Sequence, residues 1–290
     1  MTVMLSSIIC LVLVMCRPSI AFAHPLFPIN QQAKNPAHAN IGQPRPDRDL
    51  IAGNWKYRVT VAQPDGNYVL TYAITIKDDG AVWTVSTLWD TPDGTVTDVS
   101  TLERGTLILR KEVFKHFAKP GREWPIATTL VFTGSKVTGT TTINGQDQPV
   151  AVDLGGSLFA DAAGTNVTIG CLPLADGYST TFRNWNIQLL KERLVQLKVV
   201  ATERVTVAAG TFDCYRVELT SAVGGPDRET IWIAKDTRTP VKSSGVENGG
   251  RTTTTAELVG KEASNSPVLN TAAYKDRSTI GFSSSNSRYR

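Results

Sequence analysis

The sequence holds little of what most enzyme chemistry uses. Its 290 residues contain three histidines and four cysteines. Cys10 and Cys16 fall in the first stretch of the chain, which leaves Cys171 and Cys214 as the later thiols. That is little material for a zinc centre, whose ligands are mostly Cys and His. There is no G-x-S-x-G elbow, no P-loop, no H-E-x-x-H, no dinucleotide fingerprint and no C-x-x-C, so neither a common catalytic engine nor a cofactor is implied. After the first few positions no run of about 20 apolar residues occurs, which excludes a multi-span helical membrane protein. Charge is also scarce, at 19% of residues against 41% hydrophobic. This is the composition of a folded globular chain, not of a disordered or fibrous one.

The net positive charge lies at the ends. The net charge is +4. Much of the excess sits in the last thirty residues, where Lys261, Lys275, Arg277, Arg288 and Arg290 face only Glu262 and Asp276. The central part is close to neutral. Nucleic acid is therefore not expected as a partner, because phosphate binding needs a clustered basic face.

The chain begins with a short apolar run, Val3 to Met15, followed by Ala21-Phe22-Ala23, the small–x–small pattern of a signal-peptidase site. Residues 1–23 read as a signal peptide cut after Ala23, and the mature protein as exported, periplasmic or secreted. In such an oxidising compartment the pair Cys171 and Cys214 is a candidate disulfide, with two separately buried thiols as the alternative. Residues 24–50 carry Pro25, Pro28, Pro36, Pro44 and Pro46 and read as a flexible arm. Residues 261–290, rich in Ser and Asn, read as a disordered tail.

Between arm and tail, residues 51–260 read as a single β domain. Trp55, Tyr57, Val59 and Val61 alternate with Lys56, Arg58 and Thr60, and Leu70, Tyr72, Ile74 and Ile76 repeat the same period of two. Pro64-Asp65-Gly66-Asn67, Asp78-Asp79-Gly80, Asp93-Gly94 and Asn144-Gly145 supply the reversals. The second half continues with strand-like runs at Leu197 to Val200, Glu203 to Val207, Tyr215 to Leu219, Thr230 to Ala234 and Thr252 to Leu258. A short helix is expected only around Gly156–Ala163, and Gln188 to Leu197 reads as strand. The fold class is all-β, an antiparallel barrel-like or two-sheet domain that hides its sheet edges.

One stretch carries a family resemblance. It runs Glu203-Arg204-Val205-Thr206-Val207-Ala208-Ala209-Gly210-Thr211-Phe212-Asp213-Cys214-Tyr215-Arg216-Val217-Glu218, followed by Thr230-Ile231-Trp232-Ile233-Ala234-Lys235-Asp236 and Val241-Lys242. Upstream lies Leu172-Pro173-Leu174-Ala175-Asp176-Gly177-Tyr178. These segments resemble the bacterial exported family called domain of unknown function 3108, best over about residues 155–258. Ala208 stands where that family usually has Pro. The resemblance implies a periplasmic barrel-like domain and supplies no catalytic positions.

The residues themselves point weakly to chemistry. His24 and His38 lie in the arm, where no scaffold fixes their geometry. A copper site on a mature N-terminal His24 is disfavoured by the Pro-rich arm that follows it. His116, beside Lys115 and near Lys111, Lys119 and Arg122, reads as a surface histidine on a basic loop. Most acidic residues fall in turns. The aromatics are more suggestive. Tyr57, Tyr72, Trp83, Trp89 and Trp232 lie on strand-like segments and are the candidate lining of an apolar ligand cavity. The expected function is non-enzymatic binding of a lipid, another apolar small molecule or an envelope component. A hydrolase of envelope or extracellular polymers and a structural module are the alternatives.

Overall fold

The computed structural model describes residues 41–64, 66–92, 94–118, 126–143, 145–160, 164–187, 189–226, 228–247 and 250–262. The expected signal peptide, His24, His38, Trp124, most of the expected arm and nearly all of the expected tail lie outside them. The strands are β1 (Gly53–Gln63), β2 (Gly66–Asp78), β3 (Val82–Thr91), β4 (Gly94–Glu103), β5 (Leu109–Ala118), β6 (Ile126–Thr133), β7 (Lys136–Ile143) and β8 (Gln146–Asp153). A short helix, α1 (Thr165–Ile169), precedes β9 (Ser179–Asn186), β10 (Lys191–Val207), β11 (Gly210–Ser221), β12 (Arg228–Ala234), β13 (Pro240–Glu247) and β14 (Thr252–Glu262).

All fourteen strands form one sheet in the order β8-β7-β6-β5-β4-β3-β2-β1-β14-β13-β12-β11-β10-β9. Every pairing is antiparallel, and the first strand is zipped to the last by Val59 opposite Ala256 and Arg58 opposite Glu257. The chain is thus two meanders joined at β1 and β14. The protein is all-β and barrel-like, as its alternation predicts.

Alternation decides which side chains go inside. On β3, Trp83, Val85, Thr87, Trp89 and Thr91 are buried while their neighbours are at most half-buried. β1 and β2 bury Trp55, Tyr57, Val59 and Val61 against Leu70, Tyr72, Ile74 and Ile76. Bulges at Lys56/Tyr57, Thr101/Leu102, Val199/Ala201 and Trp232/Ile233 bend the strands, which a sheet of this width needs in order to curl. Gly139 serves the same end. A Cβ there would lie 2.0 Å from the Thr129 carbonyl oxygen, so only glycine lets β7 approach β6 this closely.

The two end strands do not pair with each other. β9 instead tucks under the curl. Phe182, Arg183, Asn184, Trp185 and Asn186 are buried consecutively, as in a strand covered on both faces. One face meets Phe132 of β6 through Trp185, with ring centroids 5.8 Å apart. The other meets Phe159 through Phe182, at 5.3 Å.

Between β8 and β9, residues 158–160 and 164–172 are buried. The Leu109 amide donates to the Leu158 carbonyl, and the Phe159 amide to the Arg183 carbonyl, so this segment bridges β5 and β9. All five residues of α1 are buried. The helix expected near Gly156–Ala163 thus begins later, at Thr165. The described part of the expected stretch is not helical because its backbone bonds go to Leu107, Leu109 and Arg183. Residues 41–50, expected to belong to the arm, are docked rather than free. The Asp47 amide donates to the Cys171 carbonyl, Leu50 is buried, and Asp49 holds both Trp83 and Arg104.

Candidate functional site

The inner face has an aromatic wall. Register places Tyr57 opposite Tyr72 and Tyr72 opposite Trp89. Tyr57 and Tyr72 are 5.4 Å apart between ring centroids, and Tyr72 stacks on Trp89 at 4.1 Å. Such pairs contribute about 0.5–1.5 kcal/mol each beyond their burial. The Tyr57 hydroxyl donates to the Pro240 carbonyl at 2.9 Å. The Tyr72 hydroxyl is buried and meets no hydrogen-bond partner among the described residues, an omission that costs roughly 1–3 kcal/mol in a folded interior.

Three of the five aromatic candidates therefore stand together. Trp83 shares their face but lies at the strand end, where its indole N–H donates to Asp49 at 3.2 Å and the Arg104 guanidinium covers its ring. Trp232 is separate. Ile231 and Ile233 point inward, so alternation turns Trp232 outward. Its ring stands under Lys242, and its indole N–H donates to Glu203.

Beyond the wall the interior becomes polar. Asp98 on β4, Glu112 and His116 on β5, and Glu229 on β12 are all buried. Register places His116 opposite Val96 and Glu112 opposite Ser100, so Asp98 lies diagonally between them. His116 is 2% exposed, which corrects its expected place on a surface loop. It lies within β5, where Lys111 and Lys115 take the outward positions and Glu112, Phe114 and His116 the inward ones. Glu229 receives the Asn166 side-chain amide from α1 at 3.4 Å. Burial, then Tyr57, Asp98 and Glu229, hold the Tyr72 hydroxyl well above its ordinary ionisation range. Tyr72 thus lies within electrostatic reach of two carboxylates on opposite sides of the interior. Among the described residues no group of three or more His, Cys, Asp or Glu is arranged to hold a metal ion.

The cysteines are not bridged. Both are buried thiols. Cys171 follows α1 with its sulfur 3.8 Å from the Val167 carbonyl, and Cys214 lies in β11 with its sulfur 3.6 Å from the Phe212 carbonyl. Burial pushes the first thiol up to about 12 and the second to about 11, so neither is a ready nucleophile. Cys171 borders a recess of about 40 Å3 with Leu50, Trp55, Ile76, Val167 and Arg238, room for little more than a water molecule.

Asp98, Glu112 and Glu229 escaped the sequence reading. In Val96-Thr97-Asp98-Val99 both parities carry a valine, so alternation alone does not tell which face is inner. The inward parity of Phe114 was the signal that could have placed Glu112 and His116 inside.

The architecture is that of a barrel-like β-protein. A barrel-like protein of domain family DUF1849 from Brucella abortus shares it with a TM-score of 0.51 at 9% identity, over 73% of this chain and 98% of its own. Weaker likenesses are to a DUF1329 family protein from Desulfovibrio piger (TM-score 0.28, 9% identity, 81% of this chain and 93% of that one). Another is to a LolA superfamily protein from Nitrosomonas europaea (TM-score 0.27, 9% identity, 75% and 88%). The chain belongs to the family of proteins of unknown function DUF3108, whose model matches residues 56–257. No curated protein matches the sequence. Among the described residues no helix is long and apolar enough to cross a membrane.

Proposed function

We propose that the protein is an exported, non-enzymatic binding module that takes an apolar ligand against its inner aromatic wall. The observation that carries this reading is the continuous Tyr57–Tyr72–Trp89 stack on one inner face. Solid cores rarely need a ladder of large rings that leaves a buried hydroxyl unsatisfied, whereas ligand cavities combine apolar walls with a few polar groups.

The ligand takes the place of α1. Val167 of that helix borders the same recess as Trp55 and Ile76, and its Asn166 side-chain amide donates to Glu229. The contacts around its segment are strained. Leu107 and Ala160, which share a hydrogen bond, have φ of 54° and 47°, and Arg238, packed on Gly170, has φ of 59°. Left-handed backbone in non-glycine residues costs about 1–2 kcal/mol each. This offsets part of the docking energy and favours a segment that can yield. A polymer hydrolase would need a cleft open to its carboxylates, and Asp98 and Glu229 are 5% and 4% exposed.

Titration with diphenylhexatriene, a neutral apolar fluorophore, tests the reading. Saturable binding of about one probe per chain is expected, weakened about tenfold or more by Trp89→Ala and unchanged by Trp232→Ala on the outer face. Unsaturable or absent binding to the wild-type chain contradicts it.

A further inference from the structure

We propose that residues 43–50 are a latch on α1. They grip the chain on both sides of that helix, and α1 gives up its place to a ligand when they let go. The proposal rests on the reading that the ligand takes the place of α1.

The strap leads into β1 and is tied at three levels. Before the helix, the Gln43 side-chain amide donates to the Ser157 carbonyl. After it, the Asp47 amide donates to the Cys171 carbonyl at 2.9 Å. Nearer β1, the Asp49 carboxylate accepts the Trp83 indole N–H at 3.2 Å, the Arg104 guanidinium at 3.2 Å and the Gly105 amide at 3.4 Å. Arg104 and Gly105 lie in the loop between β4 and β5. That loop also holds the chain ahead of α1, because the Ala160 amide donates to the Leu107 carbonyl. Strap, loop and helix segment therefore meet at one junction.

These ties can part without opening the sheet. Pro44 and Pro46 have no N–H, so the strap cannot zip onto a strand edge. Arg45, Asp47 and Arg48 are exposed, while Pro44 and Leu50 are buried. Leu50 of the strap and Val167 of α1 border the same recess of about 40 Å3. Packing there is incomplete and forfeits part of its dispersion energy. An element with few bonds and little buried surface opens ahead of the core. When Asp49 leaves, Arg104 keeps Asp78 and the Gly80 carbonyl, so the turn between β2 and β3 stays tied. The helix segment then hangs on its remaining bonds, among them Asn166 to Glu229 and Arg238 to the Leu172 carbonyl. Leu107 and Arg238, which supply two of its attachments, are in left-handed backbone at φ of 54° and 59°, a conformation that disfavours the closed state. Freed of the strap, the segment is poised to yield.

The test uses the full mature chain and two variants. Gln43→Ala with Asp47→Pro removes both bonds to the helix segment and leaves the contacts of Asp49 in place. Asp49→Ala removes the anchor instead, and if it does not fold the double variant decides alone. Hydrogen exchange followed by mass spectrometry should show residues 165–172 exchanging about tenfold or more faster than in the wild type. They should also stay ahead of β13 and β14, which marks the opening as local. Diphenylhexatriene uptake in stopped flow should quicken by a similar factor. Unchanged exchange in 165–172 overturns the latch, and saturable probe binding by the wild type would then leave the binding reading standing. Faster exchange with unchanged uptake also overturns it, since the strap would hold the helix without governing entry. If no chain binds the probe, the binding reading falls and the latch falls with it.

Discussion

Tyr72 concentrates the argument at the scale of single residues. It stacks on Trp89, touches Tyr57, feels Asp98 and Glu229, and leaves its own hydroxyl unsatisfied. If that hydroxyl is held for a ligand, removing it should help the empty protein. Tyr72→Phe is expected to raise stability by about 1 kcal/mol, a rise in Tm of about 2–4 °C in thermal unfolding. A drop would mean that water already satisfies the group. Tyr57 and Tyr72 also predict an alkaline limit. Burial raises both phenols above their ordinary 10.0. The proton-bound form is the one the fold retains, so the stability present below pH 10 is lost as the pH rises past it and the unfolded chain ionises instead. Absorbance at 295 nm followed together with circular dichroism should show these two phenols ionising only as the sheet melts. Ionisation near pH 10 in the intact fold would place them in water.

The element that matters most is the one the sequence disclosed least. The strands were legible because alternation and turn chemistry agree. Asn144-Gly145 separates β7 from β8, and Pro64-Asp65 separates β1 from β2. Residues 154–160 and 164–178 show neither period. Their conformation is set by partners far away in the chain, Leu107, Leu109, Arg183 and Arg238, and no local pattern encodes those. The same holds for residues 41–50, whose prolines suggest a loose arm while Asp49, Leu50 and the Asp47 amide find fixed partners in the fold. Gly170 tests the docking of α1. A Cβ there would lie 2.1 Å from the Arg238 carbonyl oxygen, and backbone cannot give way as a side-chain tip can. Gly170→Ala is expected to cost about 1–3 kcal/mol in denaturant unfolding, and to quicken diphenylhexatriene uptake in stopped flow by loosening the helix whose place the proposed ligand takes. Wild-type stability in this variant would show that the helix end is not held where the structure has it.

On the scale of the whole molecule, the family match from residue 56 to 257 begins in β1 and ends in β14, the two strands that join the meanders at the middle of the sheet. The family unit therefore takes in both meanders, not one of them. The aromatic wall was legible as a set of large rings on alternating strands. The inward carboxylates and the outward turn of Trp232 were not, because they depend on which parity the completed roll encloses. The central claim is that this enclosure exists to hold an apolar molecule. Native mass spectrometry of the mature protein, purified gently from its own compartment, tests it most directly. The account predicts a reproducible added mass that denaturation releases, and a fragment pattern with a long apolar portion. A clean mass equal to the polypeptide alone, under conditions where diphenylhexatriene also fails to bind, would contradict it and leave the roll as a structural module with a solid core.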